Sequence, residues 1–153
     1  MKKLYSVIFL SLICLAFVGC ASNKNTASTP TAKDLPDGNY QDMGEGTVII
    51  STPGGTSEDG TVPVIFIEKD QTMAMMEIGI STRDLDGSHL SYVYIDGMFN
   101  SKEQYSDADG SIVLSPDDLT IGSHTVELVQ YSDDTPEGEM VTYKSASYEI
   151  KSK

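Results

Sequence analysis

Gly122-Ser123-His124-Thr125-Val126-Glu127-Leu128-Val129-Gln130-Tyr131, then, after a polar break, Tyr143-Lys144-Ser145-Ala146-Ser147-Tyr148-Glu149-Ile150, are the two stretches that decide the fold. In the first, Val126 and Leu128 flank Glu127. In the second, Ala146, Tyr148 and Ile150 stand against Ser147 and Glu149. A repeat of two places one set of side chains on a core and the other on the opposite face, which is the pattern of a strand with one buried side. The break between them carries Glu137-Gly138, so the pair reads as a hairpin.

Working back from this pair, the same signature recurs. Thr125–Tyr131 and Met140–Ile150 are preceded by strands expected at Thr47–Ser51, Val62–Glu68, Met73–Ser81, Ser91–Asp96 and Ser111–Leu114. Pro63 marks its run as an edge or a strand start, because proline gives no N–H to a ladder. In Met73–Ser81, Met76, Ile78 and Ile80 share a face; Gln71–Met76 also holds helix-forming residues, and its β-like continuation decides for strand. In Ser91–Asp96, Tyr92 and Tyr94 alternate with Val93 and Ile95. Asp-Gly pairs at 37–38, 59–60, 86–87, 96–97 and 109–110 supply the positive φ that tight turns demand. From Gly87 onward the breaks fall roughly 10 residues apart, the spacing of a sandwich or barrel. There is no long amphipathic helix and no internal repeat.

The sequence therefore predicts an all-β fold of about seven strands over residues 39–153. These strands, and the Gly-x-His-Thr-Val phrase at Gly122–Val126, resemble immunoglobulin-like (Ig-like) or fibronectin-III-like sandwiches of the bacterial, disulfide-free kind, with neither the paired cysteines nor the core tryptophan of antibody domains. What the resemblance implies is a single sandwich that binds rather than catalyses.

Ahead of the domain lies a different kind of sequence. Lys2-Lys3 precede an apolar run from Leu4 to Val18, too short for the roughly 20 residues of a membrane span and suited to a signal peptide. The run closes in Leu15-Ala16-Phe17-Val18-Gly19-Cys20, which resembles the lipobox of bacterial lipoproteins, with Phe17 where leucine is usual. That resemblance implies cleavage after residue 19, a diacylglycerol on the Cys20 sulfur and residence on the outer face of the cell membrane. Several acyl chains anchor stably where a single chain binds reversibly. Residues 20–38 would form the lipidated end and a flexible linker, because Ala21–Lys33 is Ser-, Thr-, Asn- and Ala-rich without apolar periodicity.

Composition narrows the partners. The chain holds 10 Lys and Arg against 23 Asp and Glu, a net charge of −13. Lys2 and Lys3 belong to the leader, so the chain beyond it carries eight against 23, a net −15. Such a surface repels phosphate backbones, which argues against nucleic acid. Cys14 leaves with the leader, so no internal disulfide is available and the domain depends on its core.

Chemistry-bearing residues are few. His89 and His124 are the only histidines, and neither a Gly-x-Ser-x-Gly elbow nor a His-Glu-x-x-His or Cys-x-x-Cys pattern accompanies them. No catalytic residue, zinc site or cofactor is expected. Asp107-Ala108-Asp109-Gly110 resembles the middle of an EF-hand loop, but Tyr105 and Pro116 stand where the first and twelfth ligands belong. Calcium is kept as a candidate at Asp107 and Asp109, and a plain Asp-Gly turn accounts for the same residues. Asp84-Leu85-Asp86-Gly87 repeats the fragment with less around it, and Asp117-Asp118 and Asp133-Asp134 are further carboxylate pairs. If Val93 and Ile95 face the core, Tyr92 and Tyr94 face outward and form a candidate partner-binding pair.

The expectation is a lipid-anchored, non-enzymatic binding module whose partner is an envelope or surface protein or a wall polymer. Two rival expectations are a leader released as a peptide pheromone, from Leu12–Val18, and an accessory subunit of an envelope enzyme with a pocket at His89 or His124.

Overall fold

In the computed structural model, residues 33–68 and 75–153 are described. The leader, Cys20, the linker up to residue 32 and the ambiguous residues 71–74 lie outside them. Among the described residues no helix is long and apolar enough to cross a membrane.

The fold is all-β, with nine strands in two sheets among the described residues. In chain order they are β1 (Thr47–Thr52), β2 (Gly55–Thr56), β3 (Val64–Ile67), β4 (Met76–Arg83), β5 (Ser91–Ile95), β6 (Met98–Glu103), β7 (Ala108–Leu114), β8 (Gly122–Tyr131) and β9 (Met140–Ser152). One sheet runs β2-β1-β4-β7 and the other β3-β9-β8-β5-β6. All pairings are antiparallel except β3 with β9. β3 is an edge strand, which accommodates Pro63 just before it.

All seven expected strands are present, and two more were not foreseen. β2 is only two residues long. β6, Met98-Phe99-Asn100-Ser101-Lys102-Glu103, lacks both β-branched residues and apolar alternation. It forms because Asp96 (φ 51°) and Gly97 (φ 77°) both adopt the left-handed backbone of a tight hairpin and lay the following residues against β5.

The core lies between the sheets, where the alternation places it. Ile50, Ile78, Ile80, Ile112 and Leu114 meet Ile65, Val93, Ile95, Val126, Leu128, Tyr148 and Ile150. Cross-strand neighbours such as Ile50 and Ile80, Ile78 and Ile112, and Val93 and Leu128 are opposed in register. Burying such a side chain is worth about 1.5–3 kcal/mol.

The five-stranded sheet is also covered on its other face. Every residue of β5 is buried. A second apolar cluster joins Tyr92, Tyr94, Val129, Tyr131 and Tyr143 to Leu35, with Tyr40 and Phe99 against it. Leu35 and Tyr40 belong to a strap, residues 34–43, that crosses this face. Leu35, within the stretch that read as linker, is thus buried against the domain.

The Asp-Gly pairs do not share one role. Asp96-Gly97 makes the two-residue hairpin. Asp109-Gly110 lies inside β7, opposite Ser81 and Ile80, and turns nothing. A glycine-to-alanine pair separates the two. Gly97→Ala should lower stability by about 1–2 kcal/mol from left-handed strain alone, since only the Leu35 carbonyl, at 3.9 Å, approaches the new methyl group. Gly110→Ala meets ordinary contacts at 3.7 Å and beyond, so stability should hold or rise by up to about 1 kcal/mol. Urea unfolding midpoints of the two variants measure both.

Candidate functional site

The strap and the outer face of the five-stranded sheet enclose a cleft of about 380 Å³, lined by Pro36, Asp37, Tyr40, Asp96, Glu127 and Tyr143 among others. It is built from hydrogen bonds that begin at the β5–β6 turn. The Asp96 carboxylate accepts the Thr125 N–H (2.8 Å) and pairs with the His124 ring (2.7 Å). The Gly97 N–H donates to Glu127 Oε2 (2.9 Å), and the Leu35 N–H donates to the Gly97 carbonyl (2.8 Å). The Phe99 N–H donates to Asp34 Oδ1 (3.0 Å). The far end of the strap is held by mutual backbone bonds between Met43 and Tyr143 and by Lys144 Nζ, which reaches Asp42 (2.7 Å) and the Gly44 carbonyl (3.0 Å). Tyr40 stacks on Tyr143 with ring centres 5.2 Å apart.

Glu127 is the unusual group in the cleft. It is only 9% exposed and projects from the sheet face between Tyr94 and Ser145. Burial pushes its carboxyl pKa up; the Gly97 N–H pulls it back, the Asp96 charge adds to the rise, and Tyr143 opposes it weakly. The Tyr143 hydroxyl is 3.5 Å from Oε1, at the limit of a hydrogen bond. Burial and the Glu127 charge in turn push Tyr143 up to about 12.

In the sequence, Glu127 stands only as the polar member of an alternating strand. A carboxylate flanked by Val126, Leu128, Val129 and Tyr131 was the available signal. What it did not show was that the outer face would be roofed.

Tyr92 and Tyr94 do point away from Val93 and Ile95, as expected, but they are not exposed. They are 4% and 0% accessible. Tyr92 donates to the Asp134 carbonyl (2.7 Å), and the Tyr94 and Tyr131 hydroxyls lie 3.3 Å apart. The strap and the β8–β9 turn cover them, so they offer no partner surface.

The EF-hand-like fragment is not a loop. Asp109 is a strand residue paired with Arg83 at 2.9 Å, and Asp107 accepts the Asp84 N–H. Tyr105 is a core residue. Among the described residues no three His, Cys, Asp or Glu side chains are grouped to hold a metal. Asp118 accepts the Ser115 N–H and Asp133 caps Thr135, so these pairs serve turns.

The histidines take opposite ends of the five-stranded sheet. His89 precedes β5, close to the Ser91–Gln130 pair, and His124 sits near the Ile95–Val126 pair. His89 Nδ1 lies 3.2 Å from Asp134 and borders a shallow cleft of about 230 Å³ with Asp86 and Glu45. The nearby Ser88 hydroxyl donates to Asp86 (2.6 Å), not to the ring. That arrangement clasps two loops and provides no serine–histidine pair.

His124 has the Asp96 carboxylate at Nδ1 and the Thr120 carbonyl at Nε2, each at 2.7 Å. Acceptors at both nitrogens favour the doubly protonated ring. Burial opposes that charge. The Thr120 bond, the Asp96 bond and the charges of Asp96 and Asp118 outweigh it, so the pKa lies above the ordinary value. The ring also stacks on Tyr148, 5.1 Å between centres.

No protein-family model, curated protein or solved structure matches the chain.

A raised histidine pKa fixes the sign of a pH effect. The contribution is complete below the unfolded value of about 6.5 and is lost as pH rises through the folded one. Stability should therefore fall as pH rises above about 6.5 and level off once His124 is neutral. In His124→Gln that part of the slope should vanish, as measured by urea unfolding midpoints across pH 5.5–9.

Proposed function

We propose that this protein is a lipid-anchored extracytoplasmic lipoprotein whose single Ig-like sandwich acts as a non-catalytic binding module at the cell surface. The observation that carries the reading is the cleft at Glu127. It is a built, polar recess positioned by a hydrogen-bonded turn. A recess of this size lies at the lower end of the range usual for small-molecule pockets, roughly 300–1,000 Å³.

The strand order supports the Ig-like assignment. β9-β8-β5-β6 facing β1-β4-β7 corresponds to the G-F-C-C′ and A-B-E strands of such a sandwich. The Leu15–Cys20 lipobox resemblance supports the anchor. Tethering at Cys20 would restrict the domain to the membrane surface and raise its effective concentration toward an envelope partner. The net charge of −13 suits a partner with a basic or polar face.

Metabolic labelling with a fatty acid, followed by detergent phase partition, tests the anchor. The wild-type chain should carry label and enter the detergent phase, and Cys20→Ala should lose the label. Equal labelling of both would overturn the anchor. Cross-linking on intact cells that produce the full chain tests the module. One enriched surface protein or wall fragment is the expected result, and recovery of the chain alone counts against it.

A further inference from the structure

We propose that the cleft between the strap and the sheet binds a primary ammonium group, ion-paired to Glu127. This rests on the binding-module reading and names the ligand chemistry.

Four observations converge on it. The cleft is large enough for an aminoalkyl group, has no Lys, Arg or His in its walls and is lined by Asp37, Glu127 and Asp96, the last of which is already paired with His124. Glu127 is buried there, and two hydrogen bonds occupy only part of its acceptor capacity of about four sites. One of the two is the long bond from Tyr143. A carboxylate in that position lacks a counter-charge, and a cation entering the cleft would supply it. The third observation is aromatic: the stacked rings of Tyr40 and Tyr143 form part of the wall, and such rings attract cations as well as apolar chain. Finally, the acidic surface raises the local concentration of cations and repels anions.

Geometry also selects among cations. Among the described residues no three His, Cys, Asp or Glu side chains converge, so a divalent metal would be poorly caged. A guanidinium pairs most strongly when both carboxylate oxygens are open along one edge. Here Oε2 is held by the Gly97 N–H, which leaves Oε1 as the freer atom. A compact point charge on a flexible stem fits a single oxygen better.

The test is an NMR titration of the full ¹⁵N-labelled chain in detergent micelles. The probes are Nα-acetyl-lysine methylamide, cadaverine, and Nα,Nε-diacetyl-lysine methylamide as the neutral control. The amide of Gly97, bonded to Glu127, should shift with the first two and not with the third. Glu127→Gln should weaken binding by about 10- to 100-fold. Tighter binding of the lysyl probe would point to a peptide side chain as the source, and tighter binding of cadaverine to a free diamine. Both support the proposal.

A second readout needs no substitution. In the wild-type chain the affinity should drop as pH falls through the titration of Glu127, which faces Asp37, Asp96 and Tyr143. An unmoved Gly97 amide, an equal response to the diacetyl probe, or a pH-independent affinity would each overturn the proposal. A partner cross-linked on cells by a chain that binds neither amine would overturn it while leaving the binding module intact. Amine binding with no cellular partner would do the reverse.

Discussion

Tyr92, Tyr94, Tyr131 and Tyr143 stand on the side of the five-stranded sheet that faces away from the sandwich core, and their burial governs how the rest of the chain is arranged. An aromatic side chain buries about 150–250 Å², worth several kcal/mol at about 25 cal/mol per Å². Left in water, this row would be an apolar patch on a monomer. The residues ahead of β1 supply the cover. Ordering each of them costs about 1–2 kcal/mol, so apolar contact from Leu35 alone cannot hold the strap. Bonds at both ends do: Asp34 and Leu35 to the β5–β6 hairpin, and Asp42 and Met43 to β9.

That hairpin ties β8 to the strap. Asp96 accepts from β8 and from the His124 ring, Gly97 donates to Glu127, and the Gly97 carbonyl receives the strap. A change at the turn therefore reaches the strap, His124 and the buried carboxylate together. The same economy explains how Glu127 survives under a roof. Its charge is costly to bury, and a pre-aligned backbone N–H offsets part of the cost. The remaining imbalance is the basis of the proposed preference for positive charge.

Several features could be read directly from residue order. Seven strands were marked by alternation, and the split of Val93 and Ile95 from Tyr92 and Tyr94 was correct because the repeat of two is a local geometric property. β6 escaped because Met98–Glu103 has no such repeat; its partner strand and the Asp96-Gly97 turn make it a strand. Asp109-Gly110 misled for the opposite reason. The dipeptide permits a tight turn but does not compel one, and pairing with β4 kept it extended. The outward tyrosines were placed on the right face and given the wrong environment. Alternation tells which residues oppose each other, not whether a distant segment covers them.

By itself, the sequence determined the all-β class, the inward set of aliphatic residues, the acidity of the surface and the absence of familiar catalytic spacings, all of which follow from local periodicity or composition. Tertiary structure alone decided that residues 34–43 are a strap, that Glu127 lies in a cleft and that His124 meets an acceptor at each ring nitrogen. Those facts depend on contacts between residues far apart in the chain, such as Lys144 with Asp42 and His124 with Asp96. Burial and charge arise where such segments meet, and no spacing along the chain encodes that meeting.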